Sequence, residues 1–302
     1  MSDVVLRMSD ITKSYKNKAV VDSFGLEVRK GHICGLIGPN GAGKTTIMKL
    51  MAGLTAADKG EIELFGSAEN LNESRARMSF MLEAPIIDTG MTAYENMMYI
   101  RYVRGVSDEK RIGELLEFVG LGDTDKKPVK HFSLGMKQRL GIAMSLMTSP
   151  EIMVADEPVN GLDPEGIVDV RNIFLKLSQE QGVTVIISSH LLAELSELCT
   201  DYTIINHGKT VESLSTEELS LKCKDHICVK TNDTGKTTAV LEEKLGIHEY
   251  KVLHGEEIHI NERVNELELI SKTITDSGLI LTKLSSEGES LEEYYLSKVG
   301  EQ

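Results

Sequence analysis

Three glycines, a lysine and two threonines stand close together in one short segment, and their spacing suits phosphate binding. The segment is Gly38-Pro39-Asn40-Gly41-Ala42-Gly43-Lys44-Thr45-Thr46, which fits the pattern G-x-x-x-x-G-K-T. Glycines let the backbone curl until successive N–H groups point at phosphate oxygens, and the lysine adds a mobile positive charge. The hydroxyl of the first threonine is a Mg²⁺ ligand in such loops. The segment therefore predicts a nucleotide-phosphate site, in which Lys44 also serves catalysis and Thr45 binds the metal.

Two further polar sites follow apolar runs that are typical of buried strands. Asp156 and Glu157 come directly after the run 152–155. Paired carboxylates at such a strand end can hold Mg²⁺ and polarise an attacking water, so we expect Asp156 to bind the metal and Glu157 to act as the base. His190 follows the apolar run 183–187 and two serines, where it is placed to sense a γ-phosphate. A histidine at a strand end is also common without any chemical role.

The elements that position these residues predict a β/α core. Residues 33–37 form an apolar run typical of a buried strand, and the apolar residues after the phosphate loop have helical spacing. Residues 3–30 alternate apolar and polar positions, which predicts an antiparallel β layer that residues 60–66 extend. After Pro150 strands and helices alternate again and end in a hairpin over residues 202–211.

A helical block over residues 88–149 interrupts this core. Thr92 and Glu95 form a capping box before the first helix, and Ser107 precedes a second amphipathic helix. Ser133 precedes the third helix. The pattern therefore predicts a helical insert inside a β/α domain.

The last part of the chain has a different organisation. Residues 213–224 are polar with few apolar positions, and we interpret them as a linker. Residues 225–302 have the order βαββαβ followed by one more helix. This order predicts a small accessory α+β domain of the ferredoxin-like type.

Composition limits the classes of partner and compartment. The 302 residues carry a net charge of −14, which argues against the basic surface that nucleic acids bind. No apolar run approaches the roughly 18 residues of a membrane span, and the start lacks a signal-peptide pattern, so we expect a cytosolic chain. The scattered Cys34, Cys199, Cys223 and Cys228 fit a reducing compartment. We do not predict a metal site at Cys223-x-x-His226-x-Cys228, because no second cluster completes a tetrahedral set.

The segment Phe132-Ser133-Leu134-Gly135-Met136, taken with the motifs above, resembles the signature of the nucleotide-binding subunits of ATP-binding-cassette (ABC) transporters. The resemblance covers about residues 4–212. It rests on motifs in the family's order, namely Tyr15, the loop 38–46, the signature 132–136, Asp156-Glu157, Asn160-Gly161-Leu162-Asp163 and His190. It implies an α/β P-loop NTPase fold with a RecA-like core, an antiparallel β subdomain and an inserted helical subdomain. We therefore predict an ABC ATPase domain over residues 1–212.

The resemblance also implies cofactors, partners and further site residues. The cofactors are ATP and Mg²⁺, with Tyr15 stacking on the adenine, Asp163 as a further nucleotide contact and His190 serving catalysis. Ser133 and Gly135 face the γ-phosphate of a second copy of the chain in a head-to-tail dimer, where a helix N-terminus stabilises anionic charge. The other implied partners are integral membrane permease subunits. The implied location is the cytoplasmic face of a bacterial membrane.

Two departures from the family pattern narrow the resemblance. The signature keeps its serine and one glycine but loses the other glycine and its polar end. Glu83 stands where the family normally has glutamine, which implies a carboxylate ligand for Mg²⁺, unless the change is neutral or misaligned by one residue. With the ending Leu291-Glu292-Glu293-Tyr294-Tyr295, these features resemble the ATPase subunits of lantibiotic-immunity and bacitracin-resistance transporters.

The implied function is therefore ATP-driven removal of a peptide antibiotic through separate membrane subunits. Three alternatives stay open. They are an ABC exporter of another substrate, a soluble ABC ATPase acting on ribosomes or DNA, and a non-enzymatic ATP-sensing regulator. The acidic composition and the presence of Lys44, Asp156, Glu157 and His190 argue against the last two.

Overall fold

The chain divides into two compact units, Met1–Thr216 and Glu217–Gln302. A computed structural model describes residues 3–16, 18–82, 85–124, 126–189, 192–223, 225–253, 257–288 and 291–300. In the described part of the chain, no helix combines the length and the apolar content that crossing a bilayer requires.

The first unit alternates strands and helices around two sheets. Its strands are β1 (Val4–Tyr15), β2 (Lys18–Arg29), β3 (Ile33–Ile37), β4 (Lys59–Leu64), β5 (Met78–Met81), β6 (Ile152–Asp156), β7 (Thr184–Ser189), β8 (Asp201–Asn206) and β9 (Lys209–Ser215). Its helices are α1 (Lys44–Met51), α2 (Leu71–Ala76), α3 (Ala93–Arg104), α4 (Lys110–Phe118), α5 (Leu134–Ser145), α6 (Pro164–Gln181) and α7 (Leu192–Ser196). The mixed α/β fold predicted from the sequence is confirmed.

The antiparallel layer has the order β2-β1-β4. Apolar and polar side chains alternate along its strands because one face of the layer packs on the core while the other faces solvent. Leu6 lies opposite Val28, Met8 lies opposite Leu26, and all four side chains are buried. The β layer expected from the alternation in residues 3–30 is therefore present, with the predicted third strand at Lys59–Leu64.

The second sheet has the order β5-β6-β7-β3-β8-β9, in which only the β8–β9 pair is antiparallel. Every residue of β3, β6 and β7 is buried, which explains their continuous apolar runs. The carboxyl ends of parallel strands meet at one edge of a sheet, and ligands bind at that edge. The sheet therefore brings the loop after β3 to the same edge as the residues after β6 and the last residues of β7.

The helical block consists of α3, α4 and α5, and its helix starts follow local capping chemistry. Thr92 accepts a hydrogen bond from the backbone N–H of Glu95, and the Glu95 carboxylate accepts one from the N–H of Thr92. The predicted start near Ser107 is wrong by two residues. The helix begins at Lys110, whose N–H donates to the Asp108 carboxylate 3.0 Å away. The aspartate, rather than the serine, therefore forms the turn that precedes the helix.

The end of the first unit contains the predicted hairpin. Gly182 ends α6 in the left-handed conformation, with φ of 64°. The turn between β8 and β9 is made by His207 and Gly208, both with positive φ, which matches the predicted hairpin.

The boundary between the two units falls inside the segment 213–224, which was interpreted as a linker. This segment is not wholly irregular, because it includes the end of β9 and the helix α8 (Thr216–Lys222), whose Leu219 is buried. The polar composition of this stretch reflects the exposed side of a short helix.

The rest of the second unit follows the predicted order. Its elements are β10 (Asp225–Thr231), α9 (Thr234–Leu245), β11 (Tyr250–Val252), β12 (Glu257–Ile260), α10 (Leu267–Asp276), β13 (Leu281–Gly288) and α11 (Leu291–Gly300). The sheet has the order β11-β12-β10-β13, and every pair is antiparallel. This is the arrangement of a split βαβ module. Its core packs Ile227 and Val229 of β10 with Leu241 of α9 and Ile270 of α10.

Candidate nucleotide site

The segment Gly38–Thr46 joins the end of β3 to the first turn of α1, where three glycines are required for different reasons. Gly41 and Gly43 have φ of 83° and 104°, in the left-handed region that side chains rarely adopt. A Cβ atom added at Gly38 would lie 2.5 Å from the carbonyl oxygen of Ile205. The loop can therefore curl tightly only with glycine at these positions.

Helix α1 begins directly after this loop, and no side chain of the described residues caps its N-terminus. Gly43 is its N-cap residue. The first N–H groups of an α-helix have no partner within the helix, and they carry partial positive charge. Together with the curled loop, these donors suit the oxygens of a phosphate group.

Lys44 is held against the same loop. Its side chain is buried, and its ammonium group donates to the carbonyl oxygen of Gly38 at 2.6 Å and to that of Pro39 at 3.4 Å. The same ammonium lies 3.9 Å from a carboxylate oxygen of Glu157. A cation therefore stands between the loop and the end of β6.

The end of β6 supplies a pair of oxygen ligands together with α1. The Thr45 hydroxyl donates to one carboxylate oxygen of Asp156 at 2.6 Å, and the Ser188 hydroxyl donates to the other at 2.5 Å. Asp156 is buried, so both of its oxygens depend on these two donors. A hydroxyl beside a carboxylate is the hard oxygen donor set that Mg²⁺ prefers, so these residues fit that ion.

Glu157 lies next to the metal ligands in an unusual backbone conformation. Its φ of 49° is in the left-handed region. Its N–H donates to the Ser188 hydroxyl at 2.9 Å and to the Ser188 carbonyl at 3.2 Å, which holds the peptide in place. The carboxylate is partly exposed on the same cleft as the phosphate loop. Glu157 therefore has the position that a base acting on water needs.

Ser188 was not among the residues predicted from the sequence. It lies at the end of β7 and is fully buried, and it contacts both Asp156 and Glu157. The only sequence signal was a polar residue ending a strongly apolar run. Its role follows from the pairing of β6 with β7, where Asp156 lies opposite Ser188.

These groups surround one open cleft of about 240 Å³. Its lining, among the described residues, comes from β2, the phosphate loop and the end of β6: Val20, Pro39, Asn40, Gly41, Ala42, Gly43, Lys44, Thr45, Thr46, Asp156 and Glu157. The structure therefore brings most of the predicted phosphate and metal residues together. Tyr15, at the end of β1, is half exposed and does not line the described part of the cleft.

The predicted signature residues lie at two other helix starts. Ser133 caps α5, where its exposed hydroxyl accepts a hydrogen bond from the N–H of Met136 at 3.1 Å. Asp163 caps α6 and accepts from the N–H of Gly166 at 3.2 Å. A Cβ atom added at Gly135 would lie 3.6 Å from the Cα of Gly166, so the two helix starts are packed together.

Two predicted residues, Glu83 and His190, lie outside the described residues. Their assigned contributions to metal binding and to catalysis stay predictions.

The comparisons with known proteins agree with this geometry. The family model for the ABC transporter matches residues 21–160. An uncharacterized ABC transporter ATP-binding protein of Bacillus subtilis (strain 168), YcbN, is 38% identical over 298 residues, which cover 98% of this chain and 97% of the relative. The chain belongs to the ATP-binding subunits of ABC transporters. This ABC subunit is accordingly an ATPase, as the resemblance implied.

Two relatives of this ABC subunit have names that state a substrate. The bacitracin transport ATP-binding protein BcrA of Bacillus licheniformis is 35% identical, with 98% of this chain and 97% of the relative covered. The lantibiotic transport ATP-binding protein SrtF of Streptococcus pyogenes is 42% identical, with 68% and 89% covered. Among solved structures, an ATP-binding subunit of an ABC transporter superposes with a TM-score of 0.63 and 26% identity, covering 72% of this chain and 92% of that one.

Proposed function

We propose that this ABC subunit hydrolyses ATP to remove a peptide antibiotic of the bacitracin or lantibiotic class, through separate membrane subunits. The observation that carries the proposal is the similarity to a bacitracin transport ATP-binding protein over 98% of this chain, both units included. A match limited to the ATPase unit would be shared with transporters of many substrates. Similarity that extends over the second unit is therefore the more specific support.

We assign the nucleotide chemistry to the cleft. The loop N–H groups and Lys44 bind the phosphates, and Thr45 with Asp156 holds Mg²⁺, which when bound neutralises charge between the phosphates. Glu157 orients and polarises the attacking water, and the Ser188 hydroxyl keeps the peptide of Glu157 in place. Catalysis in this scheme is positioning plus charge stabilisation.

The proposed ATPase is a head-to-tail dimer. Ser133 is exposed and is not among the described residues that line the cleft, and its neighbour Leu134 is 53% exposed. An exposed helix N-terminus beside an exposed leucine suits contact with another chain. We propose that Ser133 and Gly135 contact the γ-phosphate bound by a second copy.

The proposed membrane partner binds a groove beside the helical block. The groove has a volume of about 640 Å³, and its lining includes Leu54, Ile86, Ile100 and Met144. Leu54 and Ile86 are 70% and 95% exposed, and both line this groove. Exposed apolar side chains grouped at one site are typical of a surface that binds another protein. This partner would hold the ATPase at the cytoplasmic face of the bacterial membrane.

The enzymatic part is tested with Glu157→Gln. The variant should bind ATP, accumulate as a dimer in size-exclusion chromatography, and hydrolyse ATP at least about 100-fold more slowly, because the base is lost while the shape is kept. Parental turnover in the variant would refute the assignment of Glu157. Glu83→Gln tests the sequence-based assignment of Glu83, which fails if the Mg²⁺ dependence of hydrolysis is unchanged.

The membrane contact is tested by co-purification with the membrane subunits encoded beside the gene. Ile86→Glu and Leu54→Glu should abolish recovery of the complex. The control is Ile280→Glu, which changes an apolar residue of similar exposure, 64%, in the second unit. Equal recovery of all three complexes would refute the groove assignment.

The substrate is tested by resistance of a sensitive bacterium that expresses the ATPase with its membrane subunits. We expect expression to raise the inhibitory concentration of bacitracin or of a lantibiotic. Expression of the Lys44→Ala variant should not raise it. If the parent complex hydrolyses ATP but protects against neither class of antibiotic, the substrate assignment is wrong. The alternative of an ABC exporter of another substrate is then favoured.

A further inference from the structure

One face of the sheet in the second unit carries a group of metal-binding side chains. In β10 the apolar Ile227 and Val229 belong to the core with α9 and α10. Side chains alternate between faces along a strand, so His226 and Cys228 lie on the opposite face. His259 of β12 is paired directly with Cys228 and shares that face. Two neighbouring strands therefore bring two imidazoles and one thiol together.

The three side chains are close enough to share an ion. One ligand atom from each of His226, Cys228 and His259 lies within 4.8 Å of the others. The two imidazole rings are stacked, with centroids 4.2 Å apart and an angle of 20° between their planes. The sequence shows His226 and Cys228 close together, but it does not show His259 beside them, because only strand pairing brings His259 to the other two.

Burial makes this cluster unusual. Cys228 is 0% exposed and His226 is 5% exposed. The Nε2 atom of His226 is buried and has no hydrogen-bond partner among the described residues. A buried polar atom without a partner is unfavourable, and a metal ion is one kind of partner that such a nitrogen accepts.

The surrounding charges favour a cation. The Glu257 carboxylate accepts a hydrogen bond from the Nε2–H of His259 at 3.1 Å, and it lies 3.2 Å from the Lys283 ammonium. Glu287 lies 3.1 Å from the same ammonium. One ammonium thus serves two carboxylates, which leaves one negative charge beside the cluster. The Glu257 carboxylate is already placed as an outer partner for the His259 imidazole.

We propose that His226, Cys228 and His259 bind one Zn²⁺ ion, with a carboxylate or a water in the fourth position. Mixed imidazole and thiolate ligands are characteristic of zinc, and three protein ligands plus an open position is a known zinc arrangement. Binding replaces the thiol proton of Cys228, which passes to solvent, with a zinc–sulfur bond, and both imidazoles bind in their neutral form.

The geometry needs a modest closure. Zinc–nitrogen bonds of 2.0–2.1 Å and a zinc–sulfur bond of 2.3 Å place tetrahedral ligand atoms about 3.3–3.6 Å apart. From their 4.8 Å limit the ligand atoms must therefore approach one another by about 1.2–1.5 Å at most, and the imidazoles must tilt out of their stack. The bound ion would tie β12 to the central strand β10. This proposal does not depend on the transported substrate.

The test is metal binding by the full chain, stripped with a chelator and kept free of nucleotide. Titration with Co²⁺ should give one equivalent of binding with a thiolate-to-cobalt charge-transfer absorption, which one equivalent of Zn²⁺ removes. Cys228→Ser should lose that absorption. His259→Gln should weaken binding by more than the roughly 100-fold that outer-shell partners contribute.

The matched control is Cys223→Ser, which removes the other cysteine of the second unit. It should bind Co²⁺ as the parent does, because Cys223 is not part of the cluster. The far-UV circular dichroism and the urea unfolding curve of each stripped variant, compared with those of the parent, show that both units are folded. Binding that is weak and equal in all variants, or lost with Cys223→Ser and kept with Cys228→Ser, would overturn the proposal.

Discussion

Replacing Ser188 with alanine gives the sharpest test of how the cleft is organised. The hydroxyl of Ser188 donates to Asp156 at 2.5 Å and accepts from the N–H of Glu157 at 2.9 Å. Alanine removes this one oxygen from a fully buried position without adding volume. The substitution therefore removes a support that Asp156, the proposed metal ligand, and Glu157, the proposed base, share.

The expected effect can be worked from these two contacts. A hydrogen bond to a charged group contributes about 1.5–3 kcal/mol, and one between neutral groups about 0.5–1.5 kcal/mol. The N–H of Glu157 keeps its second acceptor, the Ser188 carbonyl, so the loss is mainly that of the charged contact. We expect Ser188→Ala to lower the free energy of unfolding by about 2–3 kcal/mol. Since Asp156 loses its orientation, the Mg²⁺ concentration for half-maximal hydrolysis should rise about 10–100-fold.

The assays are urea unfolding and Mg²⁺ titration of ATP hydrolysis. The matched control is Ser178→Ala, because Ser178 is also buried and its hydroxyl donates to the neutral Gly31 carbonyl at 2.6 Å. It should lose about 0.5–1.5 kcal/mol of stability with no change in Mg²⁺ dependence. If Ser188→Ala also keeps the parental Mg²⁺ dependence, the reasoning is refuted and Ser188 only supports packing.

Three further predictions follow from local geometry. Gly38→Ala should abolish detectable ATP binding in a filter assay, because its Cβ atom would lie 2.5 Å from a carbonyl oxygen. The control Gly113→Ala has open space around its Cβ atom in α4, so it should bind ATP normally and raise the free energy of unfolding by about 0.5–1 kcal/mol. Asp163→Ala should lose about 1 kcal/mol of stability because α6 loses its cap, while Asp163→Asn should keep it; equal losses in both would contradict the capping role. Burial raises the pKa of the Cys34 thiol to about 12, which leaves little reactive thiolate at pH ~8. Iodoacetamide at that pH should therefore label the half-buried Cys223 of the native chain and leave Cys34 unlabelled, as measured by peptide mass spectrometry.

The fold and most of the cleft could be predicted because their signals are local. The phosphate loop lies between an apolar run and a helical pattern, and the structure places two of its glycines, Lys44 and Thr45 along one cleft. Asp156 and Glu157 were equally visible, because a carboxylate pair directly after a buried strand must lie at the edge of the sheet. Local patterns also gave the order of elements in the second unit.

Contacts that depend on strand pairing were not predictable. Ser188 contacts Asp156 because β6 and β7 are neighbours, and His259 reaches Cys228 because β12 pairs with β10 in one particular register. A shift of one residue would turn either side chain to the opposite face. The helix α8 inside the segment 213–224 was missed for another reason. A helix as short as α8, with one buried leucine, has too little periodicity to distinguish it from a polar connection.

The left-handed backbone at Glu157 has a consequence for the evolution of this enzyme. A side chain in that conformation costs about 1–2 kcal/mol, whereas glycine adopts it freely and loses only about 0.5–1 kcal/mol through the greater freedom of the unfolded chain. Relief of this strain should offset much of what Glu157→Gly loses with the 3.9 Å contact to Lys44, although under the proposed mechanism the variant cannot activate water. A laboratory selection for thermal stability alone would tolerate an inactive chain at this position. Only selection for turnover keeps the glutamate.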